Sequence, residues 1–385
     1  MPLILGTNSI KDTGFNVDNS LRFNSGSSDY LNNTSVDPVT NRLKFTISLW
    51  VKRSTLGAKS MIGTVGGDST NFGAIWFDSS DRLNCTEGSG GGTLNFITNR
   101  VFRDVSAWYN IILAIDTTQG TESNRVKIYV NGVQETSFST STYPGQNSNM
   151  HLNRGGKTQY IGRHTDSSNN YYFDGYMTEV VWVDGQQLSN TDLGEFDEDS
   201  GIWKPIDVSG LTFGNNGFYL DFESSGSLGS DVSGNSNNFT VNNLTAIDQS
   251  TDTCTNNSAV LNNLIYGANY SFSEGNLQFA QSASNWDTTY SSIGVTKGKW
   301  YMEYKGKVGA YHDIGVTDVI DATGNVSQNS GCVAYKSNGE FARAGGVGGG
   351  LPSTITSPAS NTYTNDDIIG IALDVDNEAV YFSKN

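Results

Sequence analysis

Apolar and polar residues alternate along this chain in many short stretches. In Phe45–Val51, Phe45, Ile47 and Leu49 interleave with Thr46, Ser48 and Trp50. That period of two predicts a half-buried strand. Trp108–Asp116 repeats it with Ile111, Leu113 and Ile115 on one face, and Arg125–Val130 with Val126, Ile128 and Val130. Met61–Val65 and Phe72–Phe77 read as strands, with Asp78–Asp81 as the turn before Arg82-Leu83 and Glu87–Gly92 as a glycine-rich tip. Asn131-Gly132 lies between two alternating stretches and predicts a type I′ hairpin turn. Tyr176–Val183 is rich in β-branched and aromatic residues, which predicts a strand entered at Gly175 and left through a hairpin-type turn at Asp184-Gly185. Ser189 and Asp192 form a weak capping box, predicting one or two helical turns toward Phe196.

The texture changes near Gly201. Gly217–Phe222 reads as a strand, but residues 224–262 are dominated by Ser, Asn, Thr and Gly. Residues 205–265 are therefore expected to form a bridging β segment, with a flexible linker as the alternative. Alternation resumes after Asn269: Leu277–Ala280, Gly298–Tyr304, His312–Val316, Cys332–Tyr335 before a Ser337-Asn338-Gly339 turn, Ile368–Asp374 and Ala379–Phe382. The expected order is an arm over 1–17, a domain over 18–204, the bridging segment over 205–265 and a second domain over 266–385. No long stretch has a 3.6-residue period, so the predicted class is all-β.

Composition narrows the function. The 385 residues leave room for two or three cores. A net charge of −16 argues against a phosphate-reading nucleic-acid binder and against adhesion to an anionic membrane by charge. No apolar stretch is long enough to span a bilayer, and Met1–Gly6 has neither the basic region nor the apolar core of a standard secretory signal. Cys85, Cys254 and Cys332 are scattered, as are His151, His164 and His312, so neither a disulfide framework nor a zinc site is expected.

Two clusters carry candidate chemistry. Glycoside hydrolysis needs two carboxylates across the scissile bond. The nearest match to the E-x-D-x-(x)-E arrangement of sandwich glucanases is Glu195-Phe196-Asp197-Glu198-Asp199, which lacks the last glutamate and falls at the end of the predicted helix. It reads as a solvated acidic helix end, and no enzyme is expected. Sugar recognition combines an aromatic platform with amide, carboxylate or imidazole hydrogen bonding. His164, Asp166, Asn169, Asn170, Tyr171 and Tyr172 hold that combination within nine residues, and these are the candidate carbohydrate contacts.

Three motifs carry a family resemblance: S-L-R-F with S-S-D-Y-L from Ser20, F-T-I-S-L-W-V-K from Phe45, and F-D-G-Y with L-S-N-T-D between Phe173 and Asp192. In this order they resemble laminin-G and pentraxin-like lectin domains, the concanavalin A-like jelly rolls, over roughly residues 18–200. The resemblance implies an opening hairpin at Ser20–Leu31. It also implies a possible Ca²⁺ held by loop oxygens, with Asp166, Asp174, Asp231 and Asn235 as candidates. The later motifs G-K-W-Y-M-E-Y, I-G-V, Y-K-S-N-G and D-I-I-G-I-A-L-D resemble a SPRY-type sandwich, so the two resemblances together imply an all-β chain of two β-sandwiches in tandem, a concanavalin A-like jelly roll and then a SPRY-like one. That family adds a return strand after the final "N-G", so a longer natural product is expected, the alternative being a strand from a neighbouring subunit. The whole arrangement is similar to long structural proteins of tailed phages, marine ones in particular. It implies a virion protein assembled in the host cytoplasm: a fibre, adhesin or capsid decoration, homo-oligomeric, whose partners are other virion proteins and a host-surface glycan or protein. A glycan depolymerase and a bacterial surface lectin are the rival readings.

Overall fold

The computed structural model describes residues 14–65, 72–88, 93–165, 170–267, 269–282, 288–306, 312–318, 320, 331–343, 354–356 and 362–385. It divides into two units. One runs to Val260 and includes Ser273–Gln278; the other holds Leu261–Phe272 and Phe279–Asn385.

The first unit begins with β1 (Ser20–Phe23), β2 (Tyr30–Thr34), β3 (Lys44–Arg53), β4 (Lys59–Val65), β5 (Phe72–Phe77), β6 (Arg82–Glu87) and β7 (Leu94–Val101). It continues with β8 (Trp108–Asp116), β9 (Val126–Val130), β10 (Val133–Gln134), β11 (Phe138–Thr142), β12 (Thr158–Ile161), β13 (Arg163–Thr165), β14 (Asn170–Tyr172) and β15 (Gly175–Asp184). It ends with β16 (Gly194–Phe196), β17 (Trp203–Pro205), β18 (Phe218–Leu220), β19 (Thr240–Asn242) and β20 (Gln249–Ser250). Sheet one has the order β10-β9-β8-β3-β15-β1-β20, with β18 also paired to β15; sheet two has β11-β7-β6-β5-β4-β12-β2-β19. Phe45, Ile47, Leu49, Ile111 and Leu113 of sheet one meet Ile62, Ile75, Leu83, Phe96 and Ile161 of sheet two in one buried core. This is an all-β sandwich, built from the strands that the alternation predicts, and it has the concanavalin A-like fold that the motif resemblance implies.

Four expectations are corrected. Strand β3 is not half-buried: Thr46, Ser48 and Trp50 are as buried as Phe45, Ile47 and Leu49. The outer face of sheet one is covered by Leu193, Val208 and Phe213, which pack on Ile112, Val181 and Val183, and by Trp203 and Val260 beside Trp50 and Trp108. Strands β1 and β2 form no hairpin, because the chain crosses from sheet one to sheet two between them. Asp184-Gly185 ends β15 without a hairpin. The Asp184 carboxylate accepts the amides of Thr40 (2.6 Å), Asn41 (3.1 Å) and Asn216 (3.1 Å) and the Asn153 side chain (2.7 Å), so it ties three loops together. The predicted helix is one 3-10 turn, Asn190–Asp192. Asp192 does accept the Ser189 amide at 2.8 Å, but Glu195 and Phe196 already belong to β16, paired with β17.

The Asn131-Gly132 turn forms as predicted. Both residues have positive φ (47° and 75°), and Val130 faces Val133. Gly132 serves a second end: a Cβ there would lie 2.1 Å from the Trp203 ring. Trp203 donates its indole N–H to Asn110 Oδ1 at 3.0 Å, closing the cover over sheet one. The stretch expected to bridge or link supplies β18 and β20 to sheet one and β19 to sheet two. Its 252–258 segment is held by Lys52, whose buried Nζ donates to Asp252 Oδ2 (2.8 Å), Asn257 Oδ1 (2.8 Å) and the Ser258 carbonyl (2.7 Å). Asp252 also accepts the Trp108 indole N–H at 3.0 Å.

After β20 the strands are β21 (Leu261–Tyr266), β22 (Tyr270–Ser273), β23 (Gln278–Gln281), β24 (Thr289–Ser291), β25 (Lys299–Lys305), β26 (Asp313–Val316), β27 (Val333–Lys336), β28 (Glu340–Arg343), β29 (Thr354–Thr356), β30 (Ile368–Asp374) and β31 (Ala379–Lys384). In the second unit, β25-β30-β31 form one sheet and β26-β27-β28-β29 another. Tyr335, Tyr363 and Ile369 are buried together, with Ile314, Phe341 and Phe382 against them.

Candidate functional site

Among the described residues the outer face of sheet one is largely covered, so a ligand meeting the first sandwich broadside meets sheet two. The pairing registers lay one row across all eight strands: Thr240, Asn32, Tyr160, Gly63, Ala74, Thr86, Asn95 and Thr142. Alternation turns this row away from the core, because the flanking Leu31, Ile161, Ile75, Cys85 and Phe96 are buried core residues. A parallel row holds Trp76, Asn84, Ile97 and Thr140. The side chains on these rows are aromatic, amide, hydroxyl or small and aliphatic.

The β13–β14 hairpin lies on this face, over Gly63. A Cβ on Gly63 would sit 3.0 Å from the Arg163 carbonyl oxygen and 3.1 Å from His164 Cα, so the glycine lets the hairpin approach. Pairing puts Arg163 opposite Tyr172, His164 opposite Tyr171 and Thr165 opposite Asn170. The Arg163 guanidinium is ringed by Tyr30 (4.7 Å), Tyr160 (4.9 Å) and Tyr172 (5.5 Å) and donates to Asn170 Oδ1. No carboxylate among the described residues pairs with it. Such a cation is attracted by the electron-rich faces of the rings around it. Beside this cluster, Asn242 Nδ2 donates to Asn32 Oδ1 at 2.7 Å.

The structure brings four of the six sequence candidates together on the hairpin. Asn170 and Tyr172 join the arginine cluster. His164 is buried, with its ring 5.2 Å from Phe72 and 6.0 Å from Tyr171, and this is packing. Asp166 and Asn169 lie outside the described residues. Sequence reading missed Tyr30, Tyr160, Arg163, Asn32 and Trp76. Tyr30 and Tyr160 each precede a core residue, Leu31 and Ile161, by one position, so alternation alone marks them as outward-facing.

Three of the four calcium candidates are engaged in hydrogen bonds within the protein. Asp174 accepts the Ser25 amide and hydroxyl, both at 2.6 Å, and the Thr55 hydroxyl at 3.1 Å. Asp231 accepts the amides of Tyr219 (2.9 Å), Ser233 (2.9 Å) and Asn237 (2.8 Å). Asn235 turns its amide nitrogen to the carbonyls of Gly214 and Gly217. A Ca²⁺ needs six to eight convergent oxygens. Among the described residues no three His, Cys, Asp or Glu converge, and the fourth candidate, Asp166, lies outside the described residues. The acidic run is also committed: Glu195 and Asp197 approach Lys204 at 3.2 and 3.7 Å.

Residues 25–192 match the laminin G-type family model described as the concanavalin A-like lectin/glucanases superfamily. The first unit therefore carries a concanavalin A-like lectin domain. No curated protein matches the chain. Among solved structures, a heptameric SAP-like pentraxin from Limulus polyphemus is 13% identical with a TM-score of 0.34, over 45% of this chain and 79% of that one. The sialyllactose-bound CBM40 of the Ruminococcus gnavus IT-sialidase is 13% identical with a TM-score of 0.29, over 39% and 79%. The enzymatically active domain of bacteriophage CBA120 tailspike protein 2 is 14% identical with a TM-score of 0.30, over 45% and 26%.

Proposed function

We infer that this protein is a non-catalytic, glycan-binding surface protein of a tailed-phage virion, a fibre, adhesin or capsid decoration. The observation that carries glycan binding is the open face of sheet two, where Tyr30, Tyr160 and Tyr172 surround Arg163 next to Asn32, Asn170 and Asn242. Tyrosine faces suit the apolar C–H side of a sugar ring, and the guanidinium and amides suit its hydroxyls. The aromatic, amide and hydroxyl character of the two rows favours binding over hydrolysis, which would draw on a carboxylate pair. The virion assignment rests on the serial resemblance of a laminin-G-like unit followed by a SPRY-like one. Its partners would be neighbouring virion proteins and a host-surface glycan.

A glycan array probed with the full chain tests the binding face. Wild type should bind a defined glycan set, and Tyr30→Ala with Tyr160→Ala should weaken that binding by about tenfold, or about 1.4 kcal/mol. An unchanged array, or reducing ends released from the bound glycan, would sink the reading. Immunogold electron microscopy of purified particles tests the virion assignment, which fails if the label stays off the particles.

A further inference from the structure

The second unit presents a different aromatic surface. Strand register lines up Tyr301, Ala372 and Tyr381 across β25, β30 and β31. Both tyrosines are 64% exposed, whereas on the opposite face Ile369 and Ile371 are buried. The middle strand offers its smallest residues here, Gly370 and Ala372. The Tyr301 ring reaches over Gly370: a Cβ built there would lie 3.2 Å from ring carbon Cε2 and 2.8 Å from the hydroxyl oxygen. The exposed ring thus runs close above the middle strand, and its hydroxyl donates to Glu303 Oε1 at 2.9 Å. The sheet thus carries one tyrosine on each side of a small-residue floor.

Charge and spacing define the occupant. Lys299 is paired with Asp374 at 3.4 Å and Lys305 with Asp366 at 3.4 Å, so both lysines are already matched on a chain of net charge −16. An acidic ligand would gain nothing here, and an uncharged one is not repelled. The tyrosines sit on strands two apart, about 9.6 Å at the usual strand spacing. An extended β-1,4-linked polysaccharide turns the same ring face outward at every second sugar, a repeat of this size. Glu303 and Ser383, in the adjacent row, stand within reach of the hydroxyls at the ring edges.

We propose that the β25-β30-β31 face is a second glycan site, on which Tyr301 and Tyr381 stack alternate rings of an uncharged β-1,4-linked polysaccharide. The site is independent of the tyrosine–arginine cluster on the first unit.

Native affinity electrophoresis of the full chain tests it, with glucomannan as the uncharged probe and polygalacturonate as the charged control. Glucomannan should retard wild type, and polygalacturonate should not. Tyr301→Ala and Tyr381→Ala should each weaken retardation by about tenfold, or about 1.4 kcal/mol, with unchanged melting temperature. Tyr301→Phe and Tyr381→Phe should keep it, since the ring face remains. Tyr30→Ala with Tyr160→Ala should keep it as well. No retardation of wild type, full retardation of the Tyr301→Ala/Tyr381→Ala protein, or equal losses in the Phe and Ala variants would overturn the proposal. Loss confined to the Tyr30→Ala/Tyr160→Ala protein would also overturn it, while leaving the first-unit reading intact.

Discussion

Glu179 lies in the middle of β15 at φ 50°, 5% exposed, and its Oε2 accepts the Tyr219 hydroxyl at 2.7 Å. The register of β15 against β3 slips there, between Thr178 and Val181, which makes it a bulge. Burial pushes its carboxyl up to about 8, against the lowering effect of the Tyr219 hydrogen bond and with the help of Asp221, Glu223 and Asp207. Burial likewise pushes Glu87 up to about 7, although the amides of Leu152 and His151 act downward. In the unfolded chain both would ionise near 4.5, so between that pH and about 7 to 8 the folded state holds the extra protons. Stability therefore falls as pH rises through this window, by at most about 1.4 kcal/mol per pH unit per group. Asp78, Asp81 and Asp116 act oppositely. Burial acts upward on them, but hydrogen bonds from Arg82, from Gly57 and from Thr118 outweigh it and hold them low. Their contribution is present above the ordinary aspartate range and is lost as pH falls through it. Urea denaturation between pH 3 and 9 should show a maximum on the acid side of neutrality. Glu179→Gln should raise stability at pH 8 and change nothing near pH 4.5; an equal change at both would refute this. Nothing in Met-Thr-Glu-Val-Val marks Glu179 as buried, because by alternation alone it belongs to a strand with one wet face.

Elements in this fold were legible where their causes are local and illegible where they are not. The Asn131-Gly132 hairpin is written in two adjacent residues. The change of sheet between β1 and β2 is not, since Ser25, Gly26 and Ser27 would serve a hairpin as well as a corner. The double burial of β3 is equally nonlocal: it depends on Trp203 and on residues 252–258. Lys52 makes that dependence measurable. Its three N–H bonds are all used inside the protein, and removing it leaves Asp252 buried beside an unmatched Asn257 oxygen. Lys52→Met should cost about 3–5 kcal/mol. Lys52→Met with Asp252→Asn should cost clearly less than the sum of the two single changes, as read from urea midpoints in a double-mutant cycle. Additive losses would show that the pair is not coupled.

At the scale of the whole molecule, the all-β class was readable from period-two stretches and turn residues, and the first sandwich from the order of its motifs. The extent of the first unit was not. Residues 205–265 read as a bridge, because 224–262 within them are so rich in Ser, Asn, Thr and Gly, yet Phe218, Leu220, Phe222, Phe239 and Leu244 belong to the main core. Those five side chains are spread thinly among polar loops whose bonds run to distant strands, and composition averages them away. A chain of residues 18–204 should therefore bind a hydrophobic dye and melt without cooperativity, whereas residues 14–282 should give one sharp calorimetric transition. Cooperative melting of the shorter chain would refute the assignment of β18 to β20. The candidate site divided the same way. Tyr172 and Asn170 were visible as a local cluster, but Tyr30, Tyr160 and Arg163 meet only because β2, β12 and the hairpin converge.

The pairing of β1 bears on how the protein is made. The Ser20 hydroxyl donates to the Asp252 carbonyl 232 positions away, and β1 is flanked by β15 on one side and β20 on the other. At the usual pace of synthesis, about 5–20 residues per second, the second flank emerges from the ribosome roughly 10–50 s after β1 does. Through that interval Leu21 and Phe23 lie on a strand with an open edge, exposed to other nascent chains. The first unit thus completes its folding only after nearly all of its length has been translated.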